Sequence, residues 1–258
     1  MVEANDFADD EVDAQPDLGD VLDGYEGHSY KLWTAIAELV DNSVDSYQRY
    51  SKDLIKAGRK KFKIQIKVDN RNRTLFVHDN AFGMNKEELQ RALRVAKKNK
   101  WAKGIGKYGL GMKTSTSWFG KKWKVTTKQL GSEIEYTATV DIPRLVNSGV
   151  NTIPIKSKPV KGKKEQSYTT IKVTDGIRDY ASGTLTKTKE HLALMYQKLL
   201  EHKAFEISWQ TSSTESLIEY VEPEIYTSTK PNGESKVHDF PIEGIEPNSK
   251  LKITGRYG

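Results

Sequence analysis

The chain has 258 residues, 36% of them hydrophobic, no cysteine and a formal net charge of +6. No apolar run approaches the roughly 18 residues of a membrane-crossing helix, and the lack of cysteine removes disulfides, thiol catalysis and thiolate zinc sites. No basic stretch followed by an apolar run opens the sequence, so no secretory leader is expected, and a cytoplasmic location (nuclear in a eukaryote) is compatible with it.

The charge is unevenly spread. Ten of the 35 acidic side chains fall within residues 1–30, which contain no Lys or Arg. The rest of the chain therefore holds 41 basic against 25 acidic residues, or +16. Such a body suits phosphate-rich partners, DNA included, or is ordinary Lys-rich solubility.

In chain order, residues 1–28 read as an acidic arm, poorly ordered through about residue 24, with few large apolar side chains. Ser29 is a candidate N-cap for a helix running to about Arg49. On that helix Ile36, Leu39, Val40, Ser43 and Tyr47 share one side, while Glu38, Asn42 and Asp45, at i, i+4 and i+7, share the other. This polar stripe is either a solvated face or the wall of a site. A Lys-rich linker leads to a strand at Phe62–Val68, a turn at 69–72, and a hairpin partner at Arg73–Val77. A tight loop at Asp79–Met84 precedes a helix with Leu89, Leu93 and Ala96 on one face, which dissolves into a lysine run.

Four glycines then fall within Gly104–Gly111, ahead of a short helix. Strands are expected at Lys122–Lys128, Glu133–Asp141 and Ser167–Thr174, with an irregular basic connection at Lys156–Lys164 between them. A helix at about Lys187–Lys203 follows, then strands at Ala204–Trp209, Leu217–Val221 and Lys250–Thr254. Mixed helices and hairpin-linked strands indicate an α+β fold rather than a doubly wound sheet. The last strand is followed by no finishing element, so the sequence reads as part of a longer protein.

The glycine cluster is a phosphate-cradle candidate or a flexible structural loop. Gly104-Ile-Gly106-Lys-Tyr-Gly109 matches G-x-G-x-x-G, but a helix and a lysine run precede it and no carboxylate ends the next strand, so a dinucleotide fold is excluded. Protein-kinase motifs and the P-loop signature are absent as well.

Four segments together resemble the gyrase, heat-shock chaperone, histidine kinase and MutL (GHKL) ATPase superfamily. Glu38-Leu-Val-Asp-Asn42-Ser-Val-Asp45 matches its E-x-x-x-N-x-x-D helix, and Gly106-Lys-Tyr-Gly109-Leu-Gly111 matches its G-x-x-G-x-G lid. Asp79-Asn-Ala81-Phe-Gly83 corresponds to D-x-G-x-G with Ala for the first Gly, and Thr169 follows Tyr168 where the family has Gly. The similarity spans about residues 30–210, and its wording is closest to MORC-like and MutL-like members.

The resemblance implies a two-layer α/β sandwich (the Bergerat-type ATP-binding fold) with a mixed, mainly antiparallel sheet. It also implies an ATP-binding domain over 29–210 and the start of a transducer-like domain over 211–258. By the same resemblance Asn42 holds Mg²⁺, Glu38 is the general base for water, and Asp79 accepts the adenine amino hydrogen. Gly83 and Met84 approach the purine, and Thr169 adds a hydroxyl bond to Asp79 or the base. Gly106, Lys107, Gly109, Leu110, Gly111 and Met112 surround the phosphates, and Lys113 adds a positive charge there or is a surface lysine. Asp45 lies at the rim of the site. Residues 97–110 form a lid that orders when ATP binds. Ala81 restricts its loop, and Tyr168 adds bulk near the adenine.

The implied activity is a Mg²⁺-dependent ATPase, slow in this chain because relatives complete the γ-phosphate site with a lysine from the following domain. It would act as an ATP-gated homodimerising clamp on DNA. The alternatives are a heat-shock-type chaperone and a non-catalytic nucleotide-sensing module. A histidine kinase fits least, since upstream of the helix at 33–47 there is only His28, in a loop.

Overall fold

A strict apolar alternation lays down the first strand. Phe62, Ile64, Ile66 and Val68 of β1 (Phe62–Asp69) are buried, while Lys63, Gln65 and Lys67 face away from them. The computed structural model describes residues 17–94, 110–212 and 214–221, plus the backbone of short strands beyond these. Asp69 accepts the Asn72 amide across the turn, and the chain returns as β2 (Thr74–Asp79). Next come β3 (Gly120–Lys128), β4 (Ile134–Asp141), β5 (Ile155–Pro159), β6 (Tyr168–Gly176), β7 (Phe205–Gln210) and β8 (Glu215–Leu217). They form one eight-stranded sheet in the order β5-β4-β3-β6-β2-β1-β7-β8, antiparallel except for the β1–β7 pair.

Eight helices accompany the sheet among the described residues: α1 (Leu18–Gly24), α2 (Leu32–Arg49), α3 (Ser51–Lys56), α4 (Lys86–Leu93), α5 (Gly111–Phe119), α6 (Ile142–Ser148), α7 (Ser182–Met195) and α8 (Gln197–Leu200). α2 packs on β1 and β2, and α5 packs on β3 and β6. Ile36, Leu39 and Val40 of α2 and Trp118 and Phe119 of α5 join the inward side chains Ile64, Val77, Val125 and Val173 in one core. The opposite sheet face carries polar, Lys-rich positions. This is the expected two-layer α+β sandwich with a mixed sheet.

Several boundaries differ from the sequence reading. Residues 18–24, read as part of a mobile arm, form α1, because Leu22 is fully buried and Gly19 sits against the backbone of Val146. Lys121 clamps this segment through Asp23 and Glu26, and Arg178 lies over the Trp118 ring 4.3 Å from its centroid while donating to the Glu26 carbonyl. α2 begins at Leu32 with Lys31 at its N-cap, so Ser29 does not cap it. The linker after α2 contains α3, anchored by buried Leu54. α6 escaped the sequence reading, although Asp141 caps it through the Arg144 amide and Gly149 ends it at φ 60°. The basic 156–164 connection holds β5, an edge strand with mostly exposed side chains. The loop after it wraps the buried Lys128 ammonium, which donates to the carbonyls of Lys163 and Gln166.

The chain divides into two compact units, Met1–Tyr220 and Val221–Gly258. The division falls after 220 rather than 210 because β8 still pairs with β7. The second unit has two antiparallel pairs, β9 (Ser228–Thr229) with β10 (Ser235–Lys236) and β11 (His238–Ile242) with β12 (Ile253–Tyr257).

Candidate functional site

α2 is the spine of the site. Its rise of about 1.5 Å per residue separates Glu38 from Ser43 by about 7.5 Å along the axis. Asn42 donates its carboxamide N–H to the Glu38 carbonyl at 2.6 Å, which fixes that side chain and leaves its oxygen as the group it offers outward. Asp45 is exposed one turn on.

At one end of the spine the Glu38 carboxylate lies against Gly111, the first residue of α5. A Cβ on Gly111 would overlap Glu38 Oε2, so only glycine lets the carboxylate approach this helix start. Leu110 occupies the N-cap without a side-chain cap, and the first amide that bonds back to its carbonyl is that of Thr114. The amides of Gly111 and Met112 lie in the first turn of this helix, the kind of place that suits anions. Burial, with the Asp41 charge added, raises the Glu38 pKa and makes it a better proton acceptor.

At the other end Ser43 donates its hydroxyl to Asp79 Oδ2 at 2.7 Å. Asp79, the last residue of β2, is 4% exposed. Its Oδ1 accepts the Ala81 amide at 2.9 Å, and the Thr169 backbone also bonds it. Burial nevertheless pushes the Asp79 pKa up to about 6, against the Ser43, Ala81 and Thr169 bonds and the Arg59 charge. That shift of roughly two units corresponds to about 3 kcal/mol of cost at neutral pH. A carboxylate held at such cost beside a backbone loop is a functional candidate.

The loop after Asp79 is held on both sides. Gly83 has φ 73°, and a Cβ there would overlap the Lys128 carbonyl, so this glycine is needed for the turn and its packing on β3. Met84, half-buried, donates its amide to the Thr127 hydroxyl at 2.9 Å. Ala81 is buried and has no positive φ, so the restriction expected from replacing Gly does not arise. Ser167 donates to the Ala81 carbonyl and accepts from Arg59 at 2.9 Å.

Three assignments change. Thr169 pairs with Asp79 across β6 and β2, but its hydroxyl meets Thr127 at 3.1 Å, and its link to Asp79 runs through the backbone. Tyr168, the preceding residue, points to the opposite sheet face, bonding Glu135 and lying 5.8 Å from the His78 ring, so it adds no bulk beside Asp79. Lys113 is fully buried rather than at the surface. Its ammonium donates to the Ala92 carbonyl at 2.7 Å, and burial lowers its pKa to about 8. Gly106, Lys107 and Gly109, with the rest of the lid up to residue 109, lie outside the described residues.

Sequence reasoning missed Ser43, Thr127 and the pair Asp41–Tyr196. Ser43 was legible as the lone small polar residue on the apolar stripe of α2. Tyr196 stands 2.7 Å from Asp41 Oδ1 and 3.1 Å from the Ala37 carbonyl, tying α2 to the end of α7, and no local motif announces it.

An uncapped helix start, the Glu38 carboxylate against it and the buried Asp79 bonded to Ser43 are thus gathered around one helix, α2. The family model described as histidine kinase-, DNA gyrase B-, and HSP90-like ATPase matches residues 30–184, and the chain belongs to that family. Protein MICRORCHIDIA 7 of Arabidopsis thaliana is 34% identical over 90 residues, 33% of this chain and 12% of that protein. Protein MICRORCHIDIA 4 of the same organism is 31% identical over 111 residues, 41% of this chain and 13% of that protein. Chaperone protein HtpG of Rickettsia canadensis (strain McKiel) is 39% identical over 57 residues, 20% of this chain and 9% of that protein. The matches thus cover only 9–13% of each relative. Among the described residues, no helix is long and apolar enough to cross a membrane.

Proposed function

We propose that this chain binds ATP between α2, α5 and the Asp79 loop and hydrolyses it, as the switch of a larger ATP-gated machine. The observation that supports this best is the use of a single helix, with Glu38 against the start of α5 and Ser43 on Asp79. Asp79 accepts the adenine amino hydrogen, which selects ATP over GTP. The amides of Gly111 and Met112 bind β- and γ-phosphate oxygens.

Asn42 would hold Mg²⁺. One neutral oxygen fits an ion that keeps several waters and takes phosphate oxygens, rather than one caged by carboxylates. The ion supplies charge neutralisation on the phosphates. Glu38 takes a proton from water as the water oxygen bonds to the γ-phosphorus and the bond to the β,γ-bridging oxygen breaks, leaving ADP and phosphate.

The larger action proposed is an ATP-dependent homodimeric clamp on DNA. The +16 surplus beyond residue 30 and the similarity to the two MICRORCHIDIA proteins support it. A chaperone is the second reading, favoured by the similarity to HtpG.

Calorimetry with and without Mg²⁺, on the native chain and on Asn42→Ala, tests the site. Magnesium-dependent ATP binding that Asn42→Ala abolishes is the expected result. A native chain that binds neither ATP nor ADP at millimolar concentration sinks the proposal.

A further inference from the structure

The sheet face turned away from the helices holds a pattern that the nucleotide site does not use. Lys67 of β1, Phe76 of β2, Lys172 of β6 and Lys124 of β3 lie opposite one another across four adjacent strands, with Thr139 of β4 next in line. Lys124 and Lys172 are directly paired like charges, an arrangement that costs stability in a sheet. Among the described residues neither they nor Lys67 forms an ion pair.

Among the described residues, most of the acids bordering this face are already engaged; Glu215 of β8, which follows Gln210 in the same row beyond Lys67, is not. Glu206 holds Lys61 and Lys63, Glu135 accepts from Tyr168, Asp141 and Asp175 hold Lys122, and Asp69 bonds Asn72 and Ser212. Toward the β4–β5 edge the row runs into a groove of about 470 Å³ whose walls include Thr137, Thr139, Arg144 and Lys156. Lys156 is in register with Thr137, so the groove continues the same face. From β1 to β5 the row crosses five strand spacings, or about 24 Å.

Aromatic rings interleave with the lysines. Phe76, half-buried, sits between Lys67 and Lys172, and the His78 ring lies nearly parallel to it with centroids 6.1 Å apart. His78 and Tyr168 continue the line at 5.8 Å. An open face with unpaired lysines in a row, half-exposed rings among them and threonine hydroxyls alongside suits a phosphate backbone with unstacked bases. A duplex presents no base faces for rings to stack on.

We propose that this open sheet face binds single-stranded nucleic acid, its backbone along Lys67, Lys172 and Lys124 toward Arg144 and Lys156, with a base on Phe76. The proposal deepens the reading of the chain as part of a nucleic-acid-handling machine and gives it a surface separate from the ATP site.

Fluorescence anisotropy with a labelled 20-nucleotide single strand and the matching duplex, over a salt series and without ATP, tests it. The variants are K67E/K124E/K172E, a matched control K52E/K56E/K198E on exposed lysines of α3 and α8 with the same charge change, and Phe76→Ala. The face triple should weaken single-strand binding at least tenfold and reduce the salt slope by about 2, three contacts at about 0.7 each. The control should change it less than threefold. Phe76→Ala should weaken single-strand binding at least fivefold and leave duplex binding unchanged. Equal losses in the face triple and the control, or tighter binding of the duplex by the native chain, overturn the assigned face while leaving nucleic-acid binding in place. A native chain that binds neither probe removes the nucleic-acid reading as well.

Discussion

Gly83 and Gly111 stand at opposite ends of the site, and neither has room for a Cβ, yet what blocks it differs. At Gly83 the obstacle is the Lys128 backbone carbonyl, with φ at 73° besides. At Gly111 it is the tip of the Glu38 side chain. The Asp79 end, proposed to meet the base, is thus built into the sheet, where the Lys128 backbone cannot yield without disturbing strand pairing. The Gly111 end, proposed to meet the phosphates, is a helix start facing one movable carboxylate. A rigid base pocket suits recognition that never changes, whereas an adjustable phosphate end suits chemistry that proceeds in steps.

The largest effect that would break this contrast is on stability. Gly83→Ala should cost about 4 kcal/mol, from positive φ plus a backbone clash, and lower the melting temperature of the first unit by roughly 8–16 °C. Gly111→Ala should cost less than about 1 kcal/mol while cutting ATP turnover about a hundredfold, because Glu38 is pushed aside. Equal melting temperatures for the two variants would erase the distinction.

Next in size is Glu38→Gln. Turnover should fall by about two to four orders of magnitude with ATP affinity kept within about threefold, measured by phosphate release and calorimetry. Retained turnover would mean that the carboxylate is no general base.

A smaller effect separates the base end by pH. The Asp79 pKa is raised to about 6, so the fraction ionised climbs from about a tenth at pH 5 to about nine-tenths at pH 7. Adenosine, which lacks titrating phosphates, should bind up to about tenfold tighter across that range and level off above it. Stability runs the other way. The fold favours protonated Asp79, so this contribution is present below pH 4 and is lost as pH rises through about 6. A flat adenosine profile would mean that Asp79 does not meet the base.

The smallest change concerns the support of the spine. Tyr196→Phe removes the hydroxyl beside Asp41 and should cost about 1 kcal/mol, or roughly 2–4 °C in a thermal melt, with base recognition unaltered.

Much of this site was legible before any coordinates. The i, i+4 spacing of Glu38 and Asn42 put them on one helix face, and alternation in β1 and β2 put Asp79 in the tight loop just after the second strand, which in the structure reaches as far as Asp79 itself, because helix and strand periodicities are local properties of the chain. The same local logic marked the glycine cluster ahead of α5 as a phosphate-cradle candidate. It did not mark α1 or α6, short helices whose burial comes from packing on each other and on the core rather than from their own periodicity.

What only the tertiary structure decided are the contacts between residues far apart in the chain. Ser43 reaches Asp79 across 36 positions and Tyr196 reaches Asp41 across 155, while Thr127 joins Thr169 in a neighbouring strand. The single residue that separates Tyr168 from Thr169 puts them on opposite faces, and which of those faces meets the helices is settled by packing. Lys113 shows the limit most plainly. As a lone lysine at a helix start it reads as an anion ligand or a surface charge, yet burial against α4 commits its ammonium to the Ala92 carbonyl. Sequence thus determined the elements and the chemistry they carry, while the sites where that chemistry is buried, paired or left open were decided by long-range packing, which local spacing does not encode.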